Sequence, residues 1–456
     1  MRAEKIFVIL ATLFGLMLII VTPPFQNPDE NKHFFRAYEI SQGIFVSQQG
    51  DEGKRGVRVS QDLINLVNSF EQYLFYHPSR KTSIAEITRA FSLDQTSQTN
   101  GFFPLWNEKF YSPLPYIPQA FLLLLGRQLP IPALCLLYLG RLASLGCWIG
   151  LIWISLRLLP GKKWLFFYLA FTPMAMAIGS ALSVDTVTNG LGFLWIALCL
   201  HYALDDSAKH LSNRQKLLLV FVAASLGLAK QSAIPLVLCL FAIPKTKWGT
   251  WESYLCWASV VLFASLSTYF VWYLQVCDFT VPYLPQRTIP KEQLRYIISH
   301  PKAYLSIFLS THLSPYFISD MMAQYIGRLL GWLHRELPLT FVMCYTIFLV
   351  VVCLNKTEDE PDLSLTQRFI FLTTWALTVF VIGTLLYLVW TPVGGHSIEG
   401  PMGRYYIMSG PAFFIAISGW LKAPFNIKES VATGIAFLFG ALTITVTVGS
   451  LIVHYY

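Results

Sequence analysis

Charge is scarce in this sequence: Asp, Glu, Lys and Arg make up 13% of its 456 residues, against 55% hydrophobic residues. A soluble domain of that composition would lack a water-facing shell, so the bilayer is its main solvent. Paired cysteines are missing too. The 8 cysteines lie nearly all within apolar runs and none forms a C-x-x-C pair, which leaves them as small core or lipid-facing residues rather than metal or redox groups. The chain has no Walker-type glycine loop, no H-E-x-x-H and no G-x-S-x-G, which disfavours an ATP-driven pump or a membrane metalloprotease. No small-residue cleavage site follows the first apolar run; Thr22-Pro23-Pro24 stands there, so 6–21 reads as an uncleaved span rather than a signal peptide. Without an internal repeat or low-complexity tract, 1–456 reads as a single transmembrane domain. The formal charge of +8 sits in short clusters rather than on one basic face, so no nucleic acid partner is implied.

Long apolar runs fill the space these absences leave. Candidate spans are 6–21, 133–158, 164–179, 184–204, 217–229, 233–243, 254–275, 339–354, 369–390, 405–421 and 431–453. The expected fold is thus all-α, a polytopic membrane protein of about 11 transmembrane helices. Basic residues fall on alternate connections: Arg2 and Lys5; Arg157, Lys162 and Lys163; Lys209, Arg214 and Lys216; Lys245 and Lys247; Lys356 and Arg368; Lys422 and Lys428. The expected location is the plasma (inner) membrane, multi-pass, and the positive-inside rule puts the N-terminus in the cytoplasm and the C-terminus outside. Two large extracytoplasmic loops result, 23–132 and 277–338, with a shorter one at 391–403. In the first, 114–129 is apolar but short and reads as an interfacial helix; 291–312 in the second is comparably amphipathic. Aromatic residues, 15% of the chain, suit interface anchoring or a groove for a lipid-like ligand.

The first outer loop opens on an acidic motif, Asn27-Pro28-Asp29-Glu30. The pattern predicts a helix start with Asn27 as N-cap, Pro28 at the first helical position and Glu30 at the third, where a capping-box carboxylate belongs. Gly43 supplies the stop. On such a helix Asp29, His33 and Arg36 share one face, and Glu30 points away from it. That face offers a base, a tuning group and an anion binder; the structural alternative is that Asp29 complements the helix dipole and pairs with His33.

Further polar residues stand where the membrane makes them costly. Asp185 lies between long apolar runs, a placement that points to a polar cavity. Lys230, in Ala229-Lys230-Gln231, separates two runs too short for ordinary spans, and broken helices around a polar centre commonly frame a binding site; snorkelling to the interface is the alternative. Arg404, followed by Tyr405, sits on the side depleted of positive charge and wants an anionic partner, a ligand or a structural one such as Glu399 or Asp185. Arg141 and Arg328 are weaker cases that suit contact with lipid phosphates.

Pro28-Asp29-Glu30-x-x-His33-x-x-Arg36, Tyr111-x-Pro113-x-x-Tyr116, Leu139-Gly140-Arg141, Ser183-x-Asp185, Ala229-Lys230-Gln231, Leu330-Gly331-Trp332 and Gly403-Arg404-Tyr405 together resemble a family of bacterial polytopic membrane proteins over nearly the whole chain. That family in turn resembles the GT-C superfamily of membrane glycosyltransferases. The resemblance implies a polyprenyl-phosphate-linked sugar donor, an extracytoplasmic glycan or lipid-linked acceptor, and a catalytic carboxylate in the first outer loop, where Asp29 and Glu30 stand. Asp29 is then the general base of an inverting transfer, with Glu30 as the other candidate. Arg404 and Lys230 stabilise the departing lipid phosphate, while His33 and Arg36 orient the carboxylate or touch phosphate. Tyr111, Tyr405 and Arg141 join the substrate-binding group, and Asp185 holds sugar hydroxyls or a divalent ion. No cofactor is otherwise implied. Many superfamily members separate two acidic residues by one, whereas here they are adjacent and diverge by about 100° on a helix, which argues against a shared metal. Two other readings compete: a transporter or flippase of lipid-linked glycan, and a non-catalytic assembly subunit.

Overall fold

The computed structural model describes residues 2–50, 54–75, 80–92, 100–205, 209–278, 288–332, 334–355, 361–418 and 428–456, with 71–75 as backbone only. Lys356, Lys422 and the end of the run expected over 405–421 lie outside the described residues.

Helix α1 (Ala3–Val21) is followed by a connector in which Phe25 and Asp29 both take up left-handed backbone, φ 60° and 58°. Helix α2 (Glu30–Ser41) then leads into a small antiparallel sheet of β1 (Gln48–Gln49), β2 (Arg55–Ser60) and β3 (Asn100–Pro104), in the order β1-β2-β3, with Val57 opposite Phe103. Helices α3 (Gln61–Phe75) and α4 (Ile84–Phe91) are inserted between β2 and β3. An all-α reading omits this sheet. Its alternation is brief: Val57 and Val59 point into a core with Phe34, Phe35, Val67 and Leu182 while Arg58 faces out. Helix α5 (Ile117–Gly126) is too short to span, in keeping with the interfacial expectation, and exposes Ile117, Phe121, Leu124 and Leu125.

The bundle comprises α6 (Ala133–Leu158), α7 (Lys163–Ala170), α8 (Pro173–Gly179), α9 (Val184–Leu204), α10 (Asn213–Ala229), a 3-10 segment Gln231–Ala242 and α11 (Trp251–Val276). After α11 come α12 (Pro290–Ser299), α13 (Pro301–His312), α14 (Pro315–Ile326) and a hairpin of β4 (Leu329–Leu330) and β5 (Arg335–Glu336). The amphipathic stretch expected at 291–312 is two helices, because Pro301 starts a new one after His300. Helices α15 (Leu339–Leu354), α16 (Leu365–Val389), α17 (Gly410–Ile417) and α18 (Glu429–Tyr455) complete the chain, with a 3-10 turn Gly403–Tyr406 before α17.

Among the described residues 6 helices are long and apolar enough to cross a bilayer: α1, α6, α9, α11, α16 and α18. The other runs are shorter or interrupted. The run expected over 164–179 breaks at Thr172-Pro173, where the Thr172 hydroxyl caps the Ala175 amide at 3.2 Å. The run at 233–243 carries Pro235 and winds as 3-10, while α10 and α15 have 17 and 16 residues. Helix α9 is the axis of the bundle: 83% of its apolar window is buried, against 17% for α11, which faces outward. The starts of α6 and α9 continue into the core of the 23–132 segment through Leu134, Leu137 and Val184.

Candidate functional site

The acidic motif folds differently from the expected cap. Helix α2 begins at Glu30, Asp29 is its N-cap, and neither Asn27 nor Asp29 makes a side-chain capping bond. Asn27 instead accepts the Glu30 amide on its carbonyl at 3.2 Å. The left-handed backbone at Asp29, which short polar residues tolerate best, leaves its carboxylate 35% exposed and turned to two cations: Lys32 Nζ at 3.2 Å and Arg404 Nη2 at 3.8 Å. Backbone of this kind in a non-glycine residue concentrates at functional sites.

Glu30, the alternative catalytic carboxylate, stands apart from this group. Its two oxygens accept from Arg141 Nε at 2.9 Å and Nη2 at 2.6 Å, and both side chains are fully buried. Glu30 also accepts the Leu182 amide at 3.2 Å, while Arg141 donates to the carbonyls of Ile19, Thr22 and Pro23. All the acceptors Arg141 meets are internal, so it holds the end of α1 to α6 and α9 rather than a lipid phosphate. Arg36 departs from its expected role as well. It pairs with Glu39 at 2.5 Å, both fully buried, and donates to the carbonyls of Phe45 and Tyr111 at 2.7 and 3.1 Å. It therefore shapes the loop from which Tyr111 projects.

The remaining sequence-selected residues converge. Asp185 lies in the first turn of α9, its amide bound by the Ser183 hydroxyl at 3.1 Å. Its carboxylate meets Lys230 Nζ at 2.7 Å. Lys230 is extended between α10 and the 3-10 segment, φ −163° and ψ 136°, and the Leu228 carbonyl freed by the break accepts from the Ser112 hydroxyl at 2.7 Å. The Lys230 ammonium lies 5.7 Å from the Tyr111 ring and 5.4 Å from the Tyr405 ring, and the Arg404 guanidinium lies 5.3 Å from Tyr405. Neither Lys230 snorkelling nor an Arg404 pair with Glu399 is seen; Arg404 faces Asp29.

Three residues that sequence reasoning passed over complete the group. Lys32 pairs with Asp29. Tyr116 bonds His33 Nδ1 at 2.8 Å. Glu108 is buried, its carboxylate accepting the Trp106 amide at 3.2 Å. Tyr116 was visible in the Tyr111-x-Pro113-x-x-Tyr116 pattern, and Lys32 stands three after Asp29, a spacing that brings helical side chains together. Nothing local marks Glu108.

Burial raises the Asp29 carboxyl, but Lys32, Arg404 and His33 outweigh it and hold its pKa below the ordinary value. Burial, opposed by Asp29 and Asp185 and reinforced by Lys230 and Arg404, depresses His33 to about 4, so it is neutral at physiological pH. Glu108 is pushed up to about 7, first by burial and then by the neighbouring Asp29 charge, with Lys32 opposing. Burial also lifts the Tyr111 phenol to about 12. Lys32, Lys230 and Arg404 thus face the Asp29 and Asp185 carboxylates and a third, Glu108, that burial and the Asp29 charge hold toward its neutral form, so the group leans positive and suits an anionic ligand. Among the described residues no group of three or more His, Cys, Asp or Glu is placed to hold a metal ion.

Six bilayer-length apolar helices, with an ionised cluster gathered where α9 begins and α10 ends, define a multi-pass membrane protein. The family described as predicted membrane protein (DUF2142) matches residues 12–408, and the chain belongs to it. No curated protein and no solved structure matches the chain.

Proposed function

We propose that this protein transfers a sugar from a polyprenyl-phosphate carrier to an acceptor hydroxyl outside the cytoplasm, with inversion and with Asp29 as general base. The observation that supports it is the partly exposed, ionised Asp29 carboxylate 3.8 Å from the largely enclosed guanidinium of Arg404: a proton acceptor and a phosphate binder side by side. The acceptor oxygen bonds to the anomeric carbon and gives its proton to Asp29. The bond from that carbon to the phosphate oxygen breaks, and its electron pair leaves with the phosphate. Arg404 and Lys230 meet the charge that develops there. A carboxylate of low pKa is a weak base, so the proton moves late, once the forming bond has acidified the hydroxyl. Asp185, already bound to Lys230, positions that ammonium.

The test is sugar transfer by purified protein in lipid with a polyprenyl-linked donor. Asp29→Asn is expected to lower the rate by roughly 10²–10⁴-fold while leaving the melting temperature near wild type. Wild-type transfer by that variant rejects the reading. Lipid flipping by wild-type protein without any sugar transfer rejects it in favour of a flippase.

A further inference from the structure

His33 stands one helical turn after Asp29, and its ring packs beside Tyr111 and Tyr116 with centroids 6.3 and 5.8 Å away. Its Nδ1 lies 2.8 Å from the Tyr116 hydroxyl, with His33 6% and Tyr116 1% exposed. Two arrangements fill that contact. In one the phenol donates to a bare Nδ1. In the other Nδ1–H donates to the phenol oxygen, and the phenolic proton is buried with no acceptor among the described residues. A buried donor without a partner is the costlier state, and burial holds the phenol in its protonated form. The phenol therefore donates, and the single ring proton of neutral His33 sits on Nε2.

Nε2 has no hydrogen-bond partner among the described residues, but it is not sealed from open space, so an N–H there, unlike the enclosed phenolic proton, is not a buried unpaired donor. The charged groups acting on the ring are Asp29, Asp185, Lys230 and Arg404, and Glu108 acts in turn on Tyr116. An Nε2–H without an acceptor, in the field of Lys230 and Arg404 and of the Asp185 and Asp29 carboxylates they pair with, adds a third donor beside those two cations for a ligand oxygen that carries no proton of its own. We propose that Tyr116 locks His33 as a neutral Nε2–H donor and that this N–H binds a phosphate oxygen of a ligand seated between Arg404 and Lys230. The ligand class, a phosphomonoester or phosphodiester, deepens the transferase reading above and rests on it, but the lock itself does not.

The test uses the full chain in lipid, labelled with nitrogen-15 at histidine, with His33→Gln identifying the signal among the 9 histidines. The expected spectrum shows a neutral Nε2–H ring unchanged between about pH 5 and 8. Polyprenyl phosphate in vesicles should shift the Nε2 resonance. A shift with inorganic phosphate alone would support the same site as one for phosphate in general. Tyr116→Phe should give mixed tautomers, a change that loss of packing alone would not produce. Binding should fall about tenfold for His33→Asn, whose amide reaches only the Nδ1 position, and less for His33→Gln, whose amide reaches Nε2. An Nδ1–H tautomer, or an imidazolium at neutral pH, overturns the lock. An Nε2 signal unmoved by either phosphate source overturns the site. Failure of sugar transfer with the phosphate shift intact would reject the transferase and leave the donor site standing.

Discussion

Asp29 and Glu30 are adjacent, yet one faces water and two cations while the other is sealed against Arg141. Removing one partner of a fully buried, hydrogen-bonded pair strands the other charge and costs about 3–5 kcal/mol. Glu30→Gln is therefore expected to lower the melting temperature in detergent sharply and to reduce yield, whereas Asp29→Asn alters neither. Equal melting temperatures for the two variants would remove the structural assignment of Glu30. The difference between the neighbours was only partly legible in the sequence. Helical spacing put Asp29 and His33 together and turned Glu30 away, and membrane cost singled out Asp185, Lys230 and Arg404. What Glu30 turns toward is 111 residues distant, and no local pattern encodes such a pair. The same holds for Arg36, whose acceptors Phe45 and Tyr111 belong to loop backbone, and for Glu108, which matters only because folding brings it near Asp29.

At the scale of elements, two of the three cations of the site are carried by interruptions, and only Lys32 rides on a regular helix, α2. Lys230 follows the end of α10, and Arg404 sits in a single 3-10 turn. That turn lies against α14, with the Gly403 amide donating to the Gln324 side chain at 3.1 Å. A Cβ at Gly403 would lie 2.4 Å from both the Met321 carbonyl oxygen and the Tyr325 amide nitrogen, which are backbone atoms and cannot yield locally. Gly403→Ala is thus expected to push the turn off α14, draw Arg404 away from Asp29 and weaken polyprenyl phosphate binding about tenfold. Gly146→Ala, where a Cβ meets nothing within 4 Å, serves as the control and should bind as wild type. Equal binding by the two variants would show that the turn does not position Arg404. Long uninterrupted apolar runs made α1, α6, α9, α11, α16 and α18 readable. The break at Lys230 was legible, since a lysine there separates two short runs, but the one at Thr172-Pro173 was not: a run holding one proline reads as continuous until packing decides whether the freed backbone groups find partners. The sheet of the first loop was hidden for a related reason, since β2 and β3 are short and separated by two helices.

The whole molecule has two chemically distinct ends. At one, Lys162 donates to the Asn355 carbonyl at 2.5 Å, Trp164 donates to Glu429 at 3.2 Å, and a cavity is lined by Leu159, Lys162, Leu204, Arg368 and Ser418. These contacts gather the end of α6, the starts of α7, α16 and α18 and the end of α15. At the other end, Thr82 donates its amide to the carbonyl of Tyr455 in α18 at 2.6 Å, and Trp272 in α11 donates to the Phe110 carbonyl at 2.7 Å. That second end holds Asp29, Asp185, Lys230 and Arg404. Lys162, Lys163, Arg368 and Lys428 all belong to the first end, and the positive-inside rule predicts that this end lies in the cytoplasm and that the site faces outward. Native Cys277 tests this directly, because it is exposed just beyond α11, five residues after Trp272. A membrane-impermeant maleimide applied to intact cells is expected to label Cys277, with Cys277→Ala removing the signal. Cys256 and Cys344 are exposed within apolar helices and should stay silent toward a polar reagent. A cysteine introduced as Ser364→Cys, at the cap of α16, should react only after the membrane is opened. The reverse pattern would turn the molecule over, place the ionised cluster in the cytoplasm and exclude transfer to an acceptor outside it.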